Sequence, residues 1–327
     1  MRSGRTVALV LAGGKGTRLH PLTAEHAKPA LPFAGGFRIV DFVLSNLVNS
    51  GIQHIYVLAP YKPQSLVEHM RSAWDMTCSG PRIDIVLPSA ASGSHGYQGT
   101  ADAVFQNLSL VEQHAPDAVA VFAADHIYRM DVRQMLSLHQ GCDADVTVAA
   151  VAVPLARASS FGVMAIEAGG RVISFEEKPC HPAALPEDPT RAYASMGNYL
   201  FKPQVLVEAL LEGRRRGETD FGHHLLPRLI GSRRVVAYNF HSNHVPGIQP
   251  YEEPGYWRDV GTLDAYFSAR REVLASAPRF RLYNPEWPLR GGGHGSQAEA
   301  IPGFGPDAES SGSAPGELSE LALSPAA

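Results

Sequence analysis

The densest group of residues able to do chemistry lies near the amino terminus, in LAGGKGTRL (residues 11–19), directly after an apolar run that reads as a strand. Gly13, Gly14 and Gly16 let a backbone turn tightly and bring its N–H groups against an anion, while Lys15 and Arg18 add two cations. That combination suits a phosphate cradle, in which amides and charged side chains neutralise a triphosphate and the pyrophosphate departing from it. A tight turn whose basic residues merely face water is the plainer alternative. The glycine order is neither GxxxxGKS/T nor GxGxxG, so the loop is not a P-loop and does not open a dinucleotide-binding unit.

A loop of this kind must be held by a sheet. Apolar runs at Thr6 to Ala12 and Ile55 to Leu58 alternate with amphipathic segments at Ile39 to Asn49 and Gln64 to Arg71, the rhythm of parallel βαβ units. Further strands are expected at Ile83 to Leu87, Val119 to Ala123 and Val146 to Val153, with helices over Ala101 to Gln113 and Val132 to Gln140. Beyond Phe161 the pattern shortens. Val163 to Ile166 and Val172 to Phe175, around Gly169-Gly170, predict a hairpin beside the sheet and hence mixed strand direction. Helices near Val205 to Leu211, Leu225 to Ile230 and Leu263 to Leu274 then flank strands at Val235 to Phe240 and near Trp257 to Val260.

Bulk properties bound the function. A chain of 327 residues with 45% hydrophobic content can bury a full-sized core. A formal charge of -4 lacks the basic excess that tracks a nucleic-acid backbone, so no nucleic-acid partner is expected. Three scattered cysteines, Cys78, Cys142 and Cys180, form neither a metal-ligand spacing nor a disulfide framework, which suits a reducing cytoplasm. No run approaches the ~18 apolar residues of a membrane-spanning helix. After Leu289 the composition collapses into Gly, Ser, Pro, Ala and Glu, so a catalytic unit is expected over residues 1–290 and a disordered tail over 291–327.

The continuation HPLTAEHAKPALPF, with FRIVDFVLSNLVNSGI (37–52), GTADAVFQN (99–107), ADHIYRMD (124–131), FGVMAI (161–166), FEEKP (175–179), ASMGNYLF (194–201) and YWRDVGTLDAY (256–266), resembles the bacterial ADP-glucose pyrophosphorylases, or glucose-1-phosphate adenylyltransferases. The resemblance covers roughly residues 5 to 290 in matching order. It implies an α/β, GT-A-like (Rossmann-like) nucleotidyltransferase fold with a mixed, mainly parallel central sheet flanked by helices. It also implies in-line attack by the phosphate of glucose 1-phosphate on the α-phosphorus of ATP, for glycogen or α-glucan synthesis. Such chemistry asks the protein for positioning and charge stabilisation.

Residue by residue, the resemblance makes Asp125 and Asp259 the ligands of Mg²⁺, and hard carboxylate oxygens suit that ion. An Asp ending a strand is otherwise more often a helix cap. Lys15 and Arg18 serve catalysis, with Leu11, Ala12, Gly13, Gly14, Gly16 and Thr17 around the nucleotide. Lys178 corresponds to the lysine on the sugar phosphate, counted with Lys15, Arg18 and Asp125 among the catalytic residues, and Glu177 to the carboxylate on the sugar hydroxyls. Gly162, Ser195 and Gly197 complete the sugar-phosphate side. Tyr97, Gln98, Gly99 and Thr100 are expected at the nucleotide, Gln98 pairing with an adenine edge through its amide. Lys28 is expected near the phosphates, with a surface salt bridge as its ordinary alternative. His223-His224 and His241 with His244 read as solvated or capping histidines, and Arg214-Arg215-Arg216 as a complement to a helix C-terminus.

The sequence departs from the family pattern in three ways. The family continues into a left-handed β-helix that supports assembly and regulation, where this chain turns to its Gly/Ser-rich tail, so homo- or hetero-oligomers with altered assembly are expected. Glu25, Pro60 and Gly96 replace residues tied to activation, which predicts weak or absent activation by fructose 1,6-bisphosphate. Ala124 stands where glycine precedes the metal ligand, and its methyl either crowds the strand end or is tolerated. Two other readings remain: a catalytically weak regulatory or binding subunit partnering a full-length paralogue, and a pyrophosphorylase for another nucleotide.

Overall fold

The computed structural model describes residues 5–14, 16–59, 63–74, 80–88 and 96–292. Strand β1 (Thr6–Leu11) is an unbroken apolar run with Val7 and Leu9 in one core and Ala8 and Val10 in the other. Burial of both faces explains why it does not alternate apolar with polar residues. A ribbon of β2 (Pro32–Ala34) and β3 (Phe37–Arg38) follows, then α1 (Ile39–Asn49), β4 (His54–Leu58), α2 (Pro63–Ala73) and β5 (Arg82–Val86). Next come α3 (Thr100–Phe105), α4 (Leu108–His114), β6 (Ala118–Ala123), β7 (His126–Tyr128) and α5 (Val132–Gly141). The second half holds β8 (Val146–Pro154), α6 (Leu155–Ala158), β9 (Gly162–Ile166), β10 (Val172–Glu177), β11 (Arg191–Phe201) and α7 (Pro203–Arg216). It ends with α8 (Leu226–Ile230), β12 (Val235–Asn239), β13 (Trp257–Asp259) and α9 (Leu263–Leu274).

Among the described residues, nine strands form one sheet in the order β10-β9-β11-β6-β1-β4-β5, with β8 pairing both β11 and β12. The β6-β1-β4-β5 centre is parallel, whereas β11 runs antiparallel to β6, β8 and β9. The expected α/β class and mixed sheet flanked by helices are what is found, and the 163–175 hairpin is the β9–β10 edge of the sheet. A third apolar cluster, centred on Phe33, Phe42, Tyr266 and Phe280, packs β2 and α1 against α9. Among the described residues, no helix is long and apolar enough to cross a membrane.

Besides the short β2, β3, β7 and α6, which the pattern did not announce, two longer elements differ from the sequence expectation. The helix expected over Ala101 to Gln113 is two helices, α3 and α4, which part at Asn107. Its side-chain amide donates to the Ala103 carbonyl (2.8 Å) and to the Tyr97 hydroxyl (3.0 Å), and such local bonds compete with helix continuation. The second is β11, an eleven-residue strand that the pattern did not announce. Its register against β8 shifts between Ser195 and Tyr199, and Gly197 inside that bulge has φ 69°. The bulge lets one strand pair with β9 at Ala194 and with β6 from Asn198 onward.

Candidate active site

Asp125 follows the C-terminal end of β6, beside the end of β1, where the Ala124 amide donates to the Leu11 carbonyl at 3.2 Å. Clefts at the carboxyl ends of parallel strands are where such sheets bind ligands. Two buried asparagines fix this corner. Asn198 accepts from the Ala123 amide (3.3 Å) and donates to the Tyr128 hydroxyl (3.0 Å). Asn46 donates to the Tyr128 carbonyl (3.1 Å) and accepts from the Met130 amide (2.9 Å). β7 is thereby held in place to pair antiparallel with β13, in a register that sets Asp259 opposite His126.

The result is a cluster assembled from three distant segments. Potential ligand atoms of Asp125, His126 and Asp259 all lie within 4.8 Å of one another. Lys28 reaches into it, its Nζ 2.9 Å from Asp125 Oδ2 and 3.4 Å from Asp259 Oδ1. Burial pushes the Asp125 carboxyl up, but the Lys28 ammonium and then His126 outweigh it, leaving the group well below the usual carboxylate range. Burial likewise opposes the charged form of Lys28, yet Asp125 and Asp259 raise its pKa above the ordinary lysine value. The surface salt bridge considered for Lys28 is excluded, because the residue is only 7% exposed. Two hard carboxylates side by side are the donor set that magnesium accepts, so the residues fit that ion.

The glycine loop borders this cluster. Gly14 and Gly16 adopt positive φ (100° and 59°), and the Thr23 hydroxyl donates to the Gly16 carbonyl at 2.8 Å. A Cβ at position 16 would press on the Thr23 methyl at 2.8 Å and meet Lys28 Cβ at 3.5 Å, so the loop packs directly against the lysine. Leu11 closes β1, Ala12 donates to the Leu58 carbonyl (3.0 Å), Gly13 follows it, and Thr17 with Arg18 opens a 3₁₀ turn. The Arg18 guanidinium and the Asp259 carboxylate flank the same face of Gly261. Lys15 lies outside the described residues, as do Pro60, Cys78 and positions 293–327 of the expected tail.

Across the cleft, the Trp257 ring lies 4.9 Å from the His126 ring and 5.3 Å from Phe161. The Phe161 carbonyl accepts from the Lys178 amide at 2.9 Å, which links the Asp125–Asp259 corner to the FEEKP segment. Lys178 has φ 50°, a strained value for a side-chain-bearing residue and one of the kind found at functional sites. Its ammonium lies 3.3 Å from Glu177. The Glu177 carboxylate is half-buried and passes within 2.8 Å of where a Gly162 Cβ would stand and 2.6 Å of where a Gly222 Cβ would stand. Ser195 is buried and accepts from the Gly197 amide (3.2 Å), while Gly197 sits against Ala123 and His126.

The residues expected at the nucleotide, Tyr97 to Thr100, gather at the start of α3. The Gln98 backbone N–H donates to Asp102 (2.9 Å) while its side chain is exposed, and Tyr97 is half-buried against Asn107. Gly99 has its back to the Thr219 carbonyl, which no Cβ could approach so closely. The Thr100 hydroxyl donates to Asp220 (2.9 Å), and Asp220 caps the following π-helical turn by accepting from Gly222 (2.9 Å) and His223 (3.0 Å). The 219–222 turn therefore joins the Gln98–Thr100 segment to Glu177. Sequence reasoning missed this turn and missed His126. Asp-Phe-Gly-His at 220–223 carried a helix-cap signal, whereas only proximity to Asp125 pointed to His126.

A model of the nucleotidyl transferase family matches residues 7–276, which include Asp125, Asp259 and the glycine loop. The chain belongs to the nucleotidyl transferase family. It is 50% identical over 288 residues to the glucose-1-phosphate adenylyltransferase of Thermodesulfovibrio yellowstonii, 87% of this chain and 70% of that relative. The similarly named proteins of Thermus thermophilus and Vibrio cholerae are 49% identical over 295 residues and 43% over 286, again covering 70% of each relative.

Within this family framework, the departure at Ala124 is accommodated. Ala124 is 1% exposed, packs in the core and is not among the residues with positive φ, so its methyl demands no left-handed backbone. The Arg214–Arg216 run closes α7 beside Gly217 in the left-handed region, a helix C-terminus that cations complement. His224 accepts from the Thr219 and Asp220 amides (3.4 and 3.2 Å), a capping role.

Proposed function

We propose that the chain is a glucose-1-phosphate adenylyltransferase, making ADP-glucose and pyrophosphate from ATP and glucose 1-phosphate with Mg²⁺. The observation that carries this reading is the meeting of Asp125, Asp259 and Lys28 at the mouth of the glycine loop, in a chain close to half identical to relatives bearing that name. Asp125 and Asp259 would hold the ion, which supplies charge neutralisation at the reacting phosphate.

The protein's own residues do the rest. The loop from Leu11 to Thr17 turns its amides to the triphosphate, with Lys15 and Arg18 on the β- and γ-phosphates. Tyr97, Gln98, Gly99 and Thr100 receive the base. Glu177, Gly162, Ser195 and Gly197 orient the sugar, and Lys178 holds its phosphate in line. A phosphate oxygen of the sugar phosphate forms the new bond to the α-phosphorus as the bond to the bridging oxygen breaks, and pyrophosphate leaves with that electron pair. Alignment of two anions against repulsion is the main task, and pre-positioned cations perform it.

We assign residues 1–290 to this catalytic unit, place it in the cytoplasm, and infer self-association or association with a related chain. Pyrophosphate release from glucose 1-phosphate, Mg²⁺ and each nucleoside triphosphate in turn tests the reading. Turnover with ATP is expected. Turnover only with another triphosphate would reassign the base, and turnover with none would replace catalysis by a regulatory role.

A further inference from the structure

Lys28 occupies the position between the two carboxylates that a divalent cation would share. Its ammonium contacts both Asp125 and Asp259, at 2.9 and 3.4 Å, and so supplies one positive charge to a pair carrying two negative ones. The residue is 7% exposed, so the ammonium is largely withdrawn from bulk water. Moving it off the carboxylates without a new anionic partner would strand a buried charge. The same side chain packs on Gly16 of the anion loop, its Cβ 3.5 Å from where a Gly16 Cβ would stand. A phosphate seated in that loop would place another anion beside the lysine.

We propose that Lys28 is a resident counter-ion that keeps the Asp125–Asp259 pair assembled and closed to free divalent ions until a polyphosphate draws the ammonium away. The inference rests on the reading of these two carboxylates as the metal pair. Metal and nucleotide binding are then coupled, each strengthening the other by the same factor. A free ion meets a pair already half-neutralised and is repelled by the ammonium beside it. An ion arriving on a triphosphate brings the oxygens that release the lysine. The two carboxylates also stay together in the empty protein, where without a cation they would repel each other.

The test uses Mn²⁺ and the nucleotide-free protein, with free Mn²⁺ read from its paramagnetic resonance signal. Lys28→Met keeps an apolar stem and removes the charge. It is expected to bind Mn²⁺ about tenfold or more tightly than the wild type, and Lys28→Met/Asp259→Asn is expected to lose that gain. Thermal melts give a second readout: Mn²⁺ should raise the Tm of Lys28→Met and of Lys28→Gln well beyond any effect on the wild type. Equal affinity in wild type and Lys28→Met overturns the proposal, as does a gain that survives Asp259→Asn. Failure of both single variants to fold even with Mn²⁺ overturns it too, since the ion would then not replace the ammonium. No substrate is present, so failure here leaves the turnover assay to judge the enzymatic reading alone.

Discussion

Asp259 stands opposite His126 in the β7–β13 ladder, so strand pairing delivers the second carboxylate to Asp125 across 134 positions of sequence. This has a kinetic consequence. Asn has nearly the shape of Asp but lacks its charge, so Asp259→Asn and Asp125→Asn should each lower kcat for ADP-glucose formation by about 100-fold or more at saturating Mg²⁺. A rate within about threefold of wild type for either variant would remove that residue from the metal pair.

The approach of Glu177 to Gly162 gives a prediction about the sugar. A methyl at position 162 would collide with the Phe175 ring and sit 2.8 Å from the Glu177 carboxylate. Gly162→Ala must therefore push Glu177 out of its position, and overpacking of this kind costs about 1–3 kcal/mol. Steady-state kinetics should show KM for glucose 1-phosphate rising about tenfold while KM for ATP changes little. An equal rise in both would mean the damage is global.

Ala124 tests whether the departure next to Asp125 matters. Because its methyl is buried in a formed core and its backbone is not left-handed, Ala124→Gly should lower stability by about 1 kcal/mol and leave kcat unaltered. Calorimetry and the pyrophosphate assay together decide it. A faster Ala124→Gly enzyme would mean that the methyl crowds Asp125.

How far the sequence was legible depends on the range of the interaction involved. α1 and α9 were bounded to the residue, Ile39–Asn49 and Leu263–Leu274, because an amphipathic period is a local property. β11 was hidden because its bulge at Gly197 breaks any alternation and its three partners, β6, β8 and β9, are remote in sequence. In the site, Asp125 and Asp259 were found through their motifs, yet nothing in either motif states that Lys28 would sit between them. The Thr100–Asp220 bond was invisible for the same reason: a contact across 120 positions leaves no spacing to read.

Acid sensitivity should concentrate on a buried histidine of α5. His139, on α5, is 4% exposed and its Nδ1 lies 2.8 Å from the Thr147 hydroxyl of β8. Burial, with some help from Lys202 and against Asp145 and Asp143, lowers its pKa from 6.5 to about 4. The folded state therefore prefers neutral His139, while the unfolded chain takes up a proton near pH 6.5. The stabilisation is complete above that pH and drains away as pH falls from 6.5 to about 4, at which point both states are protonated. The loss amounts to about 3 kcal/mol at most. His139→Asn removes the titrating group, so its unfolding free energy should fall less steeply than that of the wild type across this window. Parallel curves for the two proteins in denaturant melts at pH 7, 6, 5 and 4 would show that His139 is not the source of the acid sensitivity.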